Sequence, residues 1–235
     1  HAAYREAGAQ LLTTASFQAH RLALERRGLA DRLEAINREA VALARGAGAE
    51  RAYVAASIGP PGRRLSTLGD GSFRQALPAY REQIAILEDA GVDGVVLETF
   101  TDLLELQAAL QAARDTTRLP VIASVALVGA QVEEQLLTPE AAAQVAEAMG
   151  AKAVGINCME PRETASGLSR MRAATSLPLV ARPSAGLPDR NGNYPVTPEE
   201  FSRWGVELLG AGANILGGCC GTTPAHIGAL ARLLS

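Results

Sequence analysis

The stretch TPEAAAQVAEAMGAKAVGINC, residues 138–158, contains one full unit of the pattern that predicts the fold. Thr138 and Pro139 suit the start of a helix, because the hydroxyl can cap it and proline fits its first turn. Gly150 suits its end, where a left-handed residue is favoured. The apolar run Ala153–Cys158 is typical of a buried parallel strand. The segment therefore predicts a helix that leads directly into a strand.

The same unit recurs along the chain without a linker or a second zone of composition. The predicted strands are Gln10–Phe17, Ala52–Ile58, Gly94–Thr99, Pro120–Leu127, Ala153–Cys158, Leu177–Pro183 and Asn214–Gly218. The predicted helices include Pro78–Ala90, Asp102–Arg114, Pro139–Met149, Pro198–Leu209 and Pro224–Leu234. Regular alternation of this kind predicts an α/β fold, specifically a (β/α)8 TIM barrel.

A barrel of this type closes on eight strands, and the sequence supplies seven candidates. The chain starts with a helical pattern, Ala2–Gly8, which would follow a first strand. We therefore expect the TIM barrel to lack its first strand, and we interpret residues 1–235 as one N-terminally incomplete barrel domain.

Composition narrows the classes of partner. The formal net charge of -3 gives no basic field for nucleic acid or an anionic membrane surface, so small-molecule partners are expected. No apolar run reaches the roughly 18 to 20 residues that span a bilayer, and the start lacks a secretory pattern. These features predict a cytoplasmic protein.

Three cysteines lie where predicted strands end. Cys158 ends one strand, and Cys219 and Cys220 end the last one, between glycines. Active sites of such barrels lie at the carboxyl ends of the strands. Neighbouring residues on a strand point to opposite faces, but the flanking glycines allow the backbone to turn so that all three thiolates converge. They could hold zinc with a fourth position open for substrate.

Two other interpretations of the cysteines remain open from spacing alone. They could be two buried cysteines with a separate free thiol, or Cys219 and Cys220 could form a vicinal disulfide. A disulfide framework is disfavoured because the number of cysteines is odd.

Other enzyme classes that use the same barrel need catalytic or binding residues that this sequence does not supply at the right positions. A Schiff-base aldolase needs an inward lysine at the carboxyl end of a strand, whereas the only lysine, Lys152, precedes its strand. A zinc hydrolase usually uses histidine ligands, and His1, His20 and His226 are badly placed for that role. We expect His226 to be a solvated helical residue. No glycine-rich nucleotide-binding motif is present.

An ordered set of motifs carries a resemblance over essentially the whole chain. The set comprises ASIGP at 56–60, LET at 97–99, GINC at 155–158, RPSAGL at 182–187 and GGCCGTTPAHI at 217–227. It resembles the homocysteine-binding barrel shared by homocysteine S-methyltransferases, betaine-homocysteine methyltransferases and the first module of cobalamin-dependent methionine synthase.

The resemblance implies a zinc-dependent methyltransferase that moves a methyl group to the thiol of homocysteine to give methionine. It implies that Cys158, Cys219 and Cys220 are the Zn2+ ligands and that Glu98 binds the amino group of homocysteine. It also implies that Phe17 lies near the substrate. Glu98 could instead cap the following helix, and Phe17 could serve packing alone. Asn157 is expected to support the site by satisfying backbone groups beside Cys158.

The methyl donor stays open among S-methylmethionine, betaine and a methylcorrinoid. Residues 185–201 are similar to the methionine synthase branch, whereas TASFQA at 14–19 is closer to enzymes that use S-methylmethionine. The family's first strand carries a segment that also grips homocysteine, so its absence would weaken substrate binding. The alternative function is an inactive or non-enzymatic zinc-binding barrel fragment.

Overall fold

A computed structural model describes residues 1–47, 52–62, 70–127 and 137–235. Its centre is one sheet of seven parallel strands, in which each strand pairs with the next along the chain. The strands are β1 Leu11–Thr13, β2 Tyr53–Ile58, β3 Gly94–Phe100, β4 Val121–Val125, β5 Ala153–Asn157, β6 Leu179–Arg182 and β7 Ala213–Leu216. This order is the one expected of a TIM barrel that lacks one strand, which confirms the predicted fold class.

Helices cover the outside of the sheet and follow the strands in sequence. They are α1 Ala2–Glu6, α2 Arg21–Glu25, α3 Leu33–Gly46, α4 Asp70–Asp89, α5 Leu103–Thr116, α6 Pro139–Ala148, α7 Pro161–Ala174, α8 Pro198–Gly210 and α9 Pro224–Leu234. Among the described residues, no helix is both long enough and apolar enough to cross a membrane.

The helix ends show why these segments are helical. Thr138 caps α6 by accepting a hydrogen bond from the Ala141 amide, and Thr197 forms a capping box with Glu200 at the start of α8. The predicted start of a helix at Pro78 is wrong, because α4 already begins at Asp70 and Pro78 lies inside it. Its neighbours Ala76 and Tyr80 are buried, so packing outweighs the lost backbone hydrogen bond.

Gly155 sets how closely β5 and β6 approach. A Cβ atom at this position would overlap the carbonyl oxygen of Val180 on β6. Since Gly155 pairs with Val180 in the sheet, a side chain here would push apart the two strands that lead to Cys158 and the segment after β6. Close packing at this point therefore depends on glycine.

We expect Gly155→Ala to lower the free energy of unfolding by about 3 kcal/mol, because the added methyl group forces the backbone of β6 to move. Gly210→Ala is the matched control, since a Cβ there meets nothing within 4 Å. Urea unfolding of both variants measures the difference. Equal stability of the two variants would contradict the close approach.

A buried polar network fixes the segment between β1 and α2 at the carboxyl end of the sheet. The hydroxyl of Ser16 donates to the Ser57 carbonyl at 2.8 Å, and Gln83 Nε2 donates to the Ser16 carbonyl at 2.8 Å. His20 accepts from the Ala23 amide through Nδ1 and contacts the Pro60 carbonyl through Nε2. Burial lowers the pKa of His20 from 6.5 to about 4. The imidazole is therefore neutral in the folded protein at neutral pH.

This lowered pKa makes stability depend on pH. The folded protein binds the His20 proton more weakly than the unfolded chain, so the contribution is present above pH 6.5 and is lost as the pH falls towards 4. We expect wild-type protein to lose about 3 kcal/mol more stability between pH 7 and pH 4 than His20→Asn, whose amide can keep the helix cap. Urea unfolding at both pH values measures this. Parallel pH profiles would refute the assignment.

Candidate metal centre

The three cysteines come together at the carboxyl ends of β5 and β7. Their Sγ atoms all lie within 4.8 Å of one another, and those of Cys158 and Cys220 are 3.6 Å apart. Cys158 and Cys219 are joined as a disulfide, and Cys220 is exposed with a free thiol. The vicinal pairing of Cys219 with Cys220 is therefore not the one adopted.

The cluster meets the requirements of a metal site with sulfur ligands. Zinc binds thiolates at roughly 2.3 Å in a tetrahedron, which places the sulfurs about 3.8 Å apart. The distance between the sulfurs of Cys158 and Cys220 is close to this, so once the bond between Cys158 and Cys219 is reduced, small side-chain rotations would bring the three cysteines around one ion. The disulfide and the metal-bound state exclude each other, because the ligands are thiolates. The reduced cluster could thus hold a metal ion.

Two strained turns shape the cluster. Thr99, the last residue but one of β3, and Cys158, directly after β5, have φ values of 64° and 57° and are the non-glycine residues with positive φ among those described. Asn157 connects them: its Oδ1 accepts from the Thr99 amide at 2.9 Å, and its Nδ2 donates to Thr99 Oγ1 at 2.7 Å. The same Nδ2 lies 3.7 Å from the Sγ of Cys219. Asn157 therefore binds a backbone amide on β3, not the backbone groups beside Cys158 that were expected, and it also contacts the sulfur of Cys219.

The segment 183–197, which we call the strap, holds the loop that carries Cys219 and Cys220. The Cys219 amide donates to the Pro183 carbonyl at 2.9 Å, and the Ala185 amide donates to the Cys220 carbonyl at 2.8 Å. The ring of Tyr194 occupies the space that a side chain at position 221 would need, so Gly221 is required there. The backbone of the cysteine loop is therefore bound on both sides.

Tyr194 also lies close enough to Cys220 for the two side chains to influence each other electrostatically. Loss of hydration raises the pKa of Tyr194, and the charge and hydrogen bond of Cys220 raise it further. The phenol therefore stays protonated and can donate a hydrogen bond to the sulfur.

His226 lies beneath the strap and is buried, so the expectation of a solvated histidine is wrong. Its Nδ1 accepts from the Thr223 amide at 3.1 Å, and its Nε2 contacts the Val196 carbonyl at 2.8 Å. Both ring nitrogens are thus used in tying α9 to the strap. The contact with Val196 joins residues 30 positions apart in the sequence, so only the fold reveals it.

Glu98 lies on β3 within the barrel and is only 8% exposed. Its carboxylate accepts from the Ser57 hydroxyl and forms an ion pair with Arg182, whose Nη1 is 2.6 Å from Oε2. The cap of α5 is Asp102, whose Oδ1 accepts from the Leu104 amide at 2.9 Å. Asp102, not Glu98, therefore caps the helix that follows β3, which excludes the alternative role of Glu98.

Phe17 lies beside the carboxyl end of β2. Its ring fills the space that a Cβ on Gly59 would occupy, and its carbonyl accepts from the Gly59 amide at 2.8 Å. Phe17 as a whole is half-buried.

Comparisons with known proteins agree with these features. The family profile described as homocysteine S-methyltransferase matches residues 1–234. Methionine synthase of Mycobacterium tuberculosis is 34% identical over 97% of the chain, and that of Mycobacterium leprae is 32% identical over 97%. The chain spans about a fifth of the length of these curated relatives.

Solved structures of the Escherichia coli homocysteine methyltransferase MmuM are also similar. The metallated form has a TM-score of 0.78 with 28% identity, over 99% of this chain and 82% of that one. The oxidized form has a TM-score of 0.80 with 27% identity, over 100% of this chain and 82% of that one.

We expect Asn157→Ala to weaken zinc binding about 10-fold to 100-fold, because it frees both the turn at Thr99 and the sulfur of Cys219. Competition with a chromogenic chelator measures the affinity of reduced protein. Asn214→Ala is the matched control, since Asn214 Oδ1 accepts from the Leu179 amide at the opposite end of the sheet. The role of Asn157 would be rejected if both variants bound zinc equally.

Proposed function

The chain belongs to the homocysteine S-methyltransferase family, and we propose that it is a zinc-dependent methyltransferase that moves a methyl group to the thiol of homocysteine to give methionine. The observation that carries this proposal is the convergence of three cysteine sulfurs within 4.8 Å at the carboxyl end of the barrel.

We assign the metal to Cys158, Cys219 and Cys220. When bound, zinc lowers the pKa of a coordinated thiol, so that homocysteine reacts as a thiolate near neutral pH. Cys220 is exposed, whereas Cys158 and Cys219 are half-buried, so the cluster opens towards solvent on the side of Cys220. An incoming thiol can approach from that side.

Glu98 is proposed to bind the ammonium group of homocysteine. Its carboxylate is largely removed from water and lies one residue before Thr99, whose hydroxyl is 3.9 Å from the sulfur of Cys158. A buried carboxylate needs a cationic partner; Arg182 fills this role in the structure, and the ammonium group of the substrate can replace it. The half-buried Phe17 is proposed to bound the same space.

The methyl donor is proposed to be S-methylmethionine, betaine or a methylcorrinoid. In the first two, the methyl group is attached to a cationic sulfur or nitrogen, so its loss leaves a neutral group. Transfer to a thiolate then needs no general base on the protein, since the acceptor has already lost its proton. A site built from three cysteine ligands is therefore sufficient for this reaction without a catalytic base.

We expect Cys219→Ser to abolish both zinc binding and formation of methionine, because a hydroxyl is a poor substitute for a thiolate ligand. Zinc analysis of reduced protein and methionine assays with each of the three donors test this. Ser202→Ala is the control, since the Ser202 hydroxyl donates to the Ala229 carbonyl between helices away from the cysteines.

Two results would count against the proposal in different ways. Full turnover in a zinc-free Cys219→Ser protein would refute the role of the metal. Wild-type protein that binds zinc, yet neither binds homocysteine nor forms methionine, would support a non-enzymatic zinc-binding barrel.

A further inference from the structure

The inner face of the barrel changes from apolar to polar towards the carboxyl ends of the strands. Val96, Ile122 and Val180 line one level of an interior cavity of about 520 Å³. Because strand side chains alternate between faces, the residues two positions later point the same way. These are Glu98, Ser124 and Arg182, of which Ser124 and Arg182 line the cavity and Glu98 adjoins it through its ion pair with Arg182.

Arg182 brings a positive charge into this polar level. Its guanidinium pairs with Glu98, and the two side chains are only 18% and 10% exposed. Gly217 on the next segment leaves room for it, since a Cβ there would lie 3.1 Å from Arg182 Cγ. Glu98 is the one acidic partner that the described residues give Arg182, and a guanidinium has five N–H donors. Donors are therefore left for a ligand.

The same cavity connects this charge to the metal centre. Its lining includes both Arg182 and Cys219, together with Ser124. The hydroxyl of Ser124 is fully buried and has no hydrogen-bond partner among the described residues. A buried hydroxyl without a partner is costly, which points to a polar ligand at this level.

We propose that Arg182 determines specificity by binding the α-carboxylate of the amino-acid substrate while Glu98 binds its ammonium group. The inference rests on the proposed function, because it concerns the other end of the same substrate. Without substrate, Arg182 and Glu98 neutralise each other. The substrate carries both charges on one carbon, so it replaces one ion pair by two and leaves the net charge of the cavity unchanged. Ser124 supplies a further donor to the carboxylate.

Three thiol compounds allow the contribution of the carboxylate to binding to be measured apart from that of the ammonium group. L-Homocysteine carries both, 4-sulfanylbutanoate lacks the ammonium group, and 3-aminopropane-1-thiol lacks the carboxylate. Calorimetry on the reduced, zinc-loaded full chain gives the dissociation constant of each thiol. The variants are Arg182→Met, Arg182→Lys and, as a control, Arg170→Met, whose ion pair with Glu140 lies on the outer surface.

We expect Arg182→Met to weaken binding of homocysteine and 4-sulfanylbutanoate about 30-fold, as the loss of a buried charge partner does. It should tighten binding of 3-aminopropane-1-thiol, because Glu98 loses its competing partner. Arg182→Lys should restore part of the homocysteine affinity, and Arg170→Met should match wild type.

Equal weakening of all three thiols in Arg182→Met would overturn the proposal, since it would indicate only a structural role. Unchanged homocysteine binding would overturn it as well. Either result, with wild-type protein still binding homocysteine and forming methionine, would leave the proposed function intact. Wild-type protein that binds no homocysteine would contradict both.

Discussion

One amide side chain holds the geometry on which the site depends. Asn157 reaches from β5 to the end of β3, where it binds both the amide and the hydroxyl of Thr99, and it also contacts the sulfur of Cys219. Thr99 and Cys158 have backbone conformations that L-residues rarely adopt, and such conformations persist only when neighbouring contacts fix them. Because Asn157 is fully buried, its hydrogen bonds face little competition from water.

Much of the fold follows from local signals in the sequence. Threonine-proline pairs, glycine stops and apolar runs predict helices α6, α8 and α9, and these begin where expected. Helices α3 and α7 were not predicted, and neither has a side-chain hydrogen bond at its cap. Their helical state depends on packing of residues such as Val41 and Leu168 against the core, which only the assembled sheet provides.

In the candidate site, too, some features follow from local sequence signals and others depend on contacts between distant elements. Flanking glycines and position at strand ends allow the three cysteines to converge, and the resemblance carried by the motifs was needed to favour this over a vicinal disulfide or a separate free thiol. The partners of Glu98 were not predictable, because they depend on the register that places Ser57 opposite Val96 and Arg182 beside Asn157. The burial of His226 was missed for a similar reason: it is covered by the strap, which is distant in sequence. Local patterns predict elements, whereas contacts between elements require the fold.

The strap has a consequence for the entropy of metal binding. A loop that must become ordered around an ion loses conformational freedom at that moment, and the loss subtracts from affinity. Here the hydrogen bonds to Pro183 and Ala185 and the ring of Tyr194 on Gly221 already fix the backbone that carries two of the sulfurs. Since that loss of freedom is incurred during folding, a metal ion bound by the reduced cysteines would not have to order this loop.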